Sequence, residues 1–214
     1  KFLLRSEKNL QIGRTMNGQP VARDNYLKKL IAFRDSDVIK VVTGMRRCGK
    51  STLLDMMRSY LAKDGVPTEC LLSFRMESFD LEGIRDWREL YRYVVERMPS
   101  SGKCYLFFDE LQEVASWEKA INALRVDKDC DIYITGSNAF LLSSEIATLI
   151  SGRYVEIRMH PLSFSEYLDF LGPTEITSRY AVFGKEEITP IDELLDRYLK
   201  FGGLPYLAIS GLPE

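Results

Sequence analysis

Gly44-Met45-Arg46-Arg47-Cys48-Gly49-Lys50-Ser51 sets two glycines five residues apart, followed at once by a lysine and a hydroxyl. This fits GxxxxGK[ST] in full. Glycines permit a tight loop whose backbone N–H groups point inward at phosphate oxygens, and a following helix N-terminus adds its positive dipole end. Lys50 has the reach to meet β- and γ-phosphates, and Ser51 can bind Mg²⁺ through its hydroxyl. Gly44, Arg46, Arg47, Cys48, Gly49, Lys50, Ser51 and Thr52 are therefore the expected nucleotide-binding set.

Three further clusters extend this chemistry. Tyr105-Leu106-Phe107-Phe108-Asp109-Glu110 is an apolar run ending in two acids. In phosphate-loop enzymes an acid at such a strand end holds Mg²⁺, usually through water, and Asp109 fits that place beside Ser51. Glu110 then fits the general base that prepares an attacking water. Thr135-Gly136-Ser137-Asn138 offers Ser137 or Asn138 as a γ-phosphate sensor, and both residue types serve equally well as a helix N-cap. Ser151-Gly152-Arg153 offers an arginine able to reach a neighbouring subunit's nucleotide; read from spacing alone, Gly152 is a helix stop and Arg153 a surface or C-cap residue.

Other chemistries find no support. Cys48, Cys70, Cys104 and Cys130 lie 22, 34 and 26 residues apart with no CxxC pair, unlike a zinc site or a dense disulfide framework. They read as reduced thiols of a cytoplasmic protein. His160 is the one histidine, and nothing beside it builds a catalytic triad or a multi-histidine metal site.

The elements that must position these residues alternate. Strands are expected over 38–43, 70–74, 104–108, 131–135 and 154–159, the third apolar throughout as in a strand buried on both faces. Helices are expected over 50–62, from Trp87 to a stop at Pro99, over 117–126 and over 140–150. Ser163-Phe164-Ser165-Glu166 is a capping box opening another helix, and Thr189-Pro190 opens one that ends at Gly202-Gly203. Strands alternating with helices at this spacing give an α/β domain with a mainly parallel sheet. The pattern changes after Leu171. The expected boundary falls near residue 172, in a piece cut from a longer native chain.

The phosphate loop, Phe108-Asp109-Glu110-Leu111-Gln112-Glu113-Val114, Ser116-Trp117-Glu118, Ile134-Thr135-Gly136-Ser137, Ser151-Gly152-Arg153 and Pro161-Leu162-Ser163 come in an order that resembles an AAA+ ATPase. More closely, it resembles the prokaryotic AAA+ ATPases that often carry a C-terminal domain of nuclease-like fold. The resemblance covers about residues 22 to 210. It implies a P-loop fold with a five-stranded parallel sheet in the order 5-1-4-3-2 and a small helical lid. That order puts the Ser137 strand between the phosphate-loop strand and the Asp109 strand, which favours Ser137 over Asn138 as sensor. The resemblance also implies Arg153 as an arginine finger acting across subunits, and it brings Arg23, Tyr26 and Leu27 toward adenine. Without it, residues 26–30 read as an ordinary amphipathic helix. The organisation it implies is an N-terminal segment over 1–22, an AAA+ ATPase core over 23–172 and the start of the helical lid over 173–214, with Gly202-Gly203-Leu204-Pro205 falling where the lid begins. No convincing lid arginine is present; Arg197 matches by position alone.

The 214 residues are 45% hydrophobic and 28% charged, ordinary for a globular protein. No window approaches 18 uninterrupted apolar residues, so no membrane partner is expected. Net charge is −2, but residues 1–50 carry 12 Lys and Arg against 4 Asp and Glu, and the rest carry 17 against 27. The basic front is partly taken up by the phosphate loop, so tight DNA binding by this chain is not expected. The expected activity is Mg-dependent ATP hydrolysis that drives conformational change in a partner or assembly, with a homo-oligomer and a further protein as partners. The alternatives are a slow nucleotide-dependent switch and a DNA-associated ATPase that helps a nuclease or mobile-element system.

Overall fold

The computed structural model describes residues 23–81, 83–136, 152–171 and 190–210. Ser137, Asn138 and the helix expected over 140–150 lie outside the described residues. In chain order the elements are α1 (Asp24–Ala32), β1 (Ile39–Gly44), α2 (Lys50–Lys63), β2 (Leu71–Arg75), α3 (Trp87–Val95), β3 (Cys104–Asp109), α4 (Trp117–Asp127), β4 (Cys130–Gly136), β5 (Tyr154–Met159), α5 (Phe164–Leu171), α6 (Pro190–Phe201) and α7 (Pro205–Ser210). The five strands form one parallel sheet in the order β2-β3-β4-β1-β5, as expected.

The central strands β1, β3 and β4 are buried on both faces, which explains why they read as nearly continuous apolar runs. Along β3, Leu106 and Phe108 face a core with Leu90 and Val94 of α3 and Trp117, Ala120, Ile121 and Leu124 of α4. The alternate residues Tyr105 and Phe107 face a second core with Leu30 of α1 and Leu53, Leu54, Met57 and Leu61 of α2. β5, at one sheet edge, alternates instead: Ile157 and Met159 are buried, while Glu156 and Arg158 face outward.

Helix α3 ends at Val95, one turn before the Pro99 stop expected from periodicity, because its last residues close as turns: Arg97 N–H donates to Val94 O and Met98 N–H to Val95 O. It starts from Asp86, whose carboxylate accepts the N–H groups of Arg88 and Glu89. That cap satisfies two otherwise orphan donors. The capping box at α5 forms as expected: Glu166 N–H donates to Ser163 Oγ and Ser163 N–H to Glu166 Oε2.

At the starting ends of β1 and β4, Lys40 is fully buried and bonded to Asp131, which also accepts the Tyr133 hydroxyl and Asp35 N–H. Burial pushes the Lys40 ammonium below its usual pKa, against the pull of Asp131. This network lies at the opposite end of the sheet from the phosphate loop. A smaller core of Leu162, Tyr167, Phe170 and Ala208 joins α5 to α7. Leu162 N–H donates to Gly203 O at 2.6 Å, and a Cβ at Gly203 would come within 2.2 Å of Leu162 O. That close approach requires glycine at the α6–α7 turn.

Candidate functional site

The site is built where three neighbouring strands end. β1 runs out at Gly44, β3 at Asp109 and β4 at Gly136, all at the same edge because the strands are parallel. Residues 44–49 connect β1 to α2. A Cβ at Gly44 would meet Met159 O at 2.5 Å and Cys48 Sγ at 2.8 Å, so the loop can pass β5 only with glycine there. Gly49, at φ +102, is the left-handed N-cap of α2. Arg47 also has positive φ, at +67, a conformation uncommon outside glycine. Cys48 is fully buried behind the loop, and burial pushes its thiol up.

Lys50 is 5% exposed and folds back over this loop, donating to Gly44 O at 3.1 Å and Met45 O at 3.2 Å. Its Nζ lies 3.8 Å from Glu110 Oε1. One residue on, Ser51 Oγ donates to Asp109 Oδ1 at 3.0 Å. Asp109 Oδ1 also accepts the fully buried Thr135 hydroxyl, and Thr135 Oγ1 in turn accepts Glu110 N–H at 3.2 Å. Glu110 sits at φ +55, a left-handed conformation that costs about 1–3 kcal/mol for a side chain of this kind. The Thr135 bond and a bond from Gln112 Nε2 to Glu110 Oε2 hold it there.

Arg46, Arg47, Gly49, Lys50, Ser51, Thr52, Asp109 and Glu110 line one open cavity of about 340 Å³. All come from the sequence-expected set. Asp55, Arg75 and Glu77 complete the wall and were not expected. Asp55 stands one helical turn after Ser51, so the i,i+4 spacing was a usable signal. Burial pushes its carboxyl up, and Arg75 and Arg58 oppose that shift. Arg75 and Thr135 had no local signal, since only strand pairing brings them to Asp109. The oxygens of Ser51 and Asp109, open to this cavity, are hard donors of the number and kind that Mg²⁺ takes from protein while keeping water and phosphate ligands.

Other expected residues lie elsewhere. Arg23 is 6% exposed and makes a two-pronged bond to Glu166, at 2.9 Å and 3.0 Å. It also donates to Cys48 O at 3.3 Å and His160 O at 2.8 Å. It thus ties the back of the phosphate loop to the β5–α5 connection. Tyr26 accepts His160 N–H and lines a separate open cavity of about 770 Å³ between α1, β5 and α5. Arg153 precedes β5 and donates to Asn122 Oδ1 on α4 at 3.2 Å. It stands at the far end of the sheet. The six residues of β5, at about 3.3 Å each, separate it from the phosphate loop of its own chain.

Hsp104 in a closed state with ATPγS and FITC casein aligns with 89% of this chain and 36% of its own, at TM-score 0.57 and 17% identity. The Aeropyrum pernix ORC1 protein in complex with DNA aligns with 87% of this chain and 57% of its own, at TM-score 0.56 and 15% identity. Both are likenesses of fold. An uncharacterized protein of Haemophilus influenzae is 44% identical over 199 residues, which are 92% of this chain and 47% of that protein. The chain therefore spans about half the length of that relative. The AAA domain family matches residues 36–168, the stretch that holds the whole sheet and the phosphate loop, and the chain belongs to that family.

Proposed function

We propose that the chain binds Mg·ATP in the cavity above the phosphate loop and hydrolyses its β–γ bond, driving conformational change in a partner or assembly. The observation that carries this reading is the 3.0 Å approach of Ser51 Oγ to Asp109 Oδ1 beside Lys50, at the edge where β1, β3 and β4 all end. Loop N–H groups and Lys50 bind the phosphates, Lys50 giving up its carbonyl partners Gly44 and Met45 to do so. Arg46, Arg47 and Thr52 border the same space. Ser51 and Asp109 would hold the metal, which supplies charge neutralisation on the phosphate oxygens when bound.

Glu110 takes the proton of the attacking water as that oxygen bonds to the γ-phosphorus and the β–γ bridging oxygen leaves with ADP. Thr135 fixes both acids, one through its carboxylate and one through its backbone. Ser137 follows Thr135 by two residues and serves as the γ-phosphate sensor in this reading. Arg23 and Tyr26 flank the loop on the α1 side, where the base lies. Arg153 is too far from its own loop, so any part it plays is in a homo-oligomer, at a neighbour's nucleotide.

The test is Mg-dependent ATP turnover by the parent protein and by Lys50→Ala. Losing a charge-assisted contact should weaken ATP binding roughly 10- to 100-fold with the fold retained by circular dichroism. If Lys50→Ala binds ATP as well as the parent, the phosphate-loop reading is wrong.

A further inference from the structure

Arg75 is the last residue of β2 and stands in register with Asp109 on β3, with Met76 N–H donating to Asp109 O at 3.0 Å. The preceding registered pair, Phe74 and Phe108, stacks toward the α3–α4 core at 5.1 Å between ring centroids. Strand alternation therefore sends Arg75 and Asp109 to the opposite face, where α2 lies. On α2, Ser51 and Asp55 share one face a turn apart. Arg75 Nη2 bonds Asp55 Oδ2 at 2.9 Å, while Arg58 reaches Asp55 Oδ1 only at 3.5 Å. Asp55 and Arg75 both line the cavity that holds Ser51 and Asp109.

We propose that Arg75 is a charge-balancing, positioning residue of this cavity, whose bond to Asp55 keeps that carboxylate from repelling the phosphates of a bound nucleotide. The proposal rests on the nucleotide-binding reading above. A triphosphate carries about three to four negative charges, and the cavity it enters sets Arg46, Arg47 and Lys50 against Asp109, Glu110 and Glu77, with Lys50 3.8 Å from Glu110 and Arg46 3.9 Å from Glu77. Asp55 adds another negative charge beside the metal-holding pair. Paired with Arg75 its field is largely offset; with Arg75 removed, only the longer 3.5 Å contact to Arg58 remains, and more of its charge opposes the phosphates. The pairing also turns Asp55 toward β2, leaving Asp109 as the acid that faces Ser51.

The experiment follows a fluorescent ATP analogue by anisotropy, in EDTA at low ionic strength, so that the readout is binding without metal or turnover. Arg75→Gln should bind the analogue about tenfold more weakly, and the difference should shrink as salt is added. Arg75→Lys, which keeps the charge, should stay within a few-fold of the parent. Asp55→Asn leaves Arg75 unpaired and should bind more tightly than the parent. The double variant Asp55→Asn/Arg75→Gln should return to about the parent's affinity.

With Arg75→Gln folded, either of two results overturns the proposal. One is Arg75→Gln binding like the parent. The other is a double variant as weak as Arg75→Gln, which would mean that Arg75 bonds phosphate directly. Should Arg75→Gln fail to fold, Asp55→Asn decides alone: affinity equal to or below the parent's overturns the proposal. A parent protein that does not bind the analogue, while folded, overturns the nucleotide-binding reading itself, an outcome distinct from the others.

Discussion

Ser51 and Asp109, 58 residues apart in the chain, meet through a 3.0 Å hydrogen bond at the shared edge of the sheet. Neither side chain makes this contact through its own element. Ser51 is delivered by the turn from β1 into α2, and Asp109 by the end of β3, with β4 between the two strands. The Thr135 hydroxyl on β4 then fixes the Asp109 carboxylate.

Glu110→Gln should keep nucleotide bound and lose roughly 10²- to 10⁴-fold in turnover, since the amide preserves shape but takes no proton. Asp109→Asn should instead raise the Mg²⁺ concentration needed for half-maximal activity. Steady-state hydrolysis over a magnesium series separates the two. Parental turnover by Glu110→Gln would make Glu110 a strand-end acid and nothing more.

Thr135→Val keeps the side-chain volume but strips two bonds from the acid pair. Glu110 N–H would be left without its partner, at a cost of about 1–3 kcal/mol where it is buried. A lowered thermal midpoint and reduced turnover are expected together, with Thr135→Ser restoring both. Unchanged turnover in Thr135→Val would show that the acids are positioned without it.

Arg153→Ala should leave ATP affinity near the parent's. If Arg153 completes a neighbour's site, turnover should fall by roughly 10³-fold or more. Parent activity per subunit should also rise with protein concentration. Mixing Arg153→Ala with Glu110→Gln protein should recover part of the activity, each lending what the other lacks. Concentration-independent activity with Arg153→Ala unimpaired would leave Arg153 as the Asn122 partner on the surface.

The Arg23–Glu166 pair predicts a pH dependence. Burial pushes the Glu166 carboxyl up, but the Arg23 guanidinium and Ser163 N–H outweigh it and hold the group below its ordinary value. A carboxyl lowered by folding adds stability above its unfolded pKa, and that contribution disappears as pH falls through the folded value. Thermal midpoints from pH 7 down to pH 3 should therefore fall less steeply in Glu166→Gln than in the parent, from about pH 4.5 downward. Parallel curves would show that the pair adds nothing to folding.

The sequence by itself determined what local pattern encodes. The five strands were legible because each is a short β-branched or apolar run, and the phosphate loop because its glycines, lysine and serine are contiguous. The Ser163–Glu166 cap was legible for the same reason. The strand order was reached only through family resemblance, since hydrophobic runs do not say which strand lies beside which. What tertiary structure alone decided are the contacts made when strands pair and helices pack on them. Thr135 on Asp109, Arg75 on Asp55 and Arg23 across to Glu166 join residues 26, 20 and 143 positions apart. No periodicity links such residues. Each is an ordinary polar side chain until the parallel sheet and the helices packed on it bring it to its partner. Arg23 shows the limit most plainly: the resemblance directs it toward adenine, and only the meeting of α1 with the β5–α5 connection pairs it with Glu166 behind Cys48.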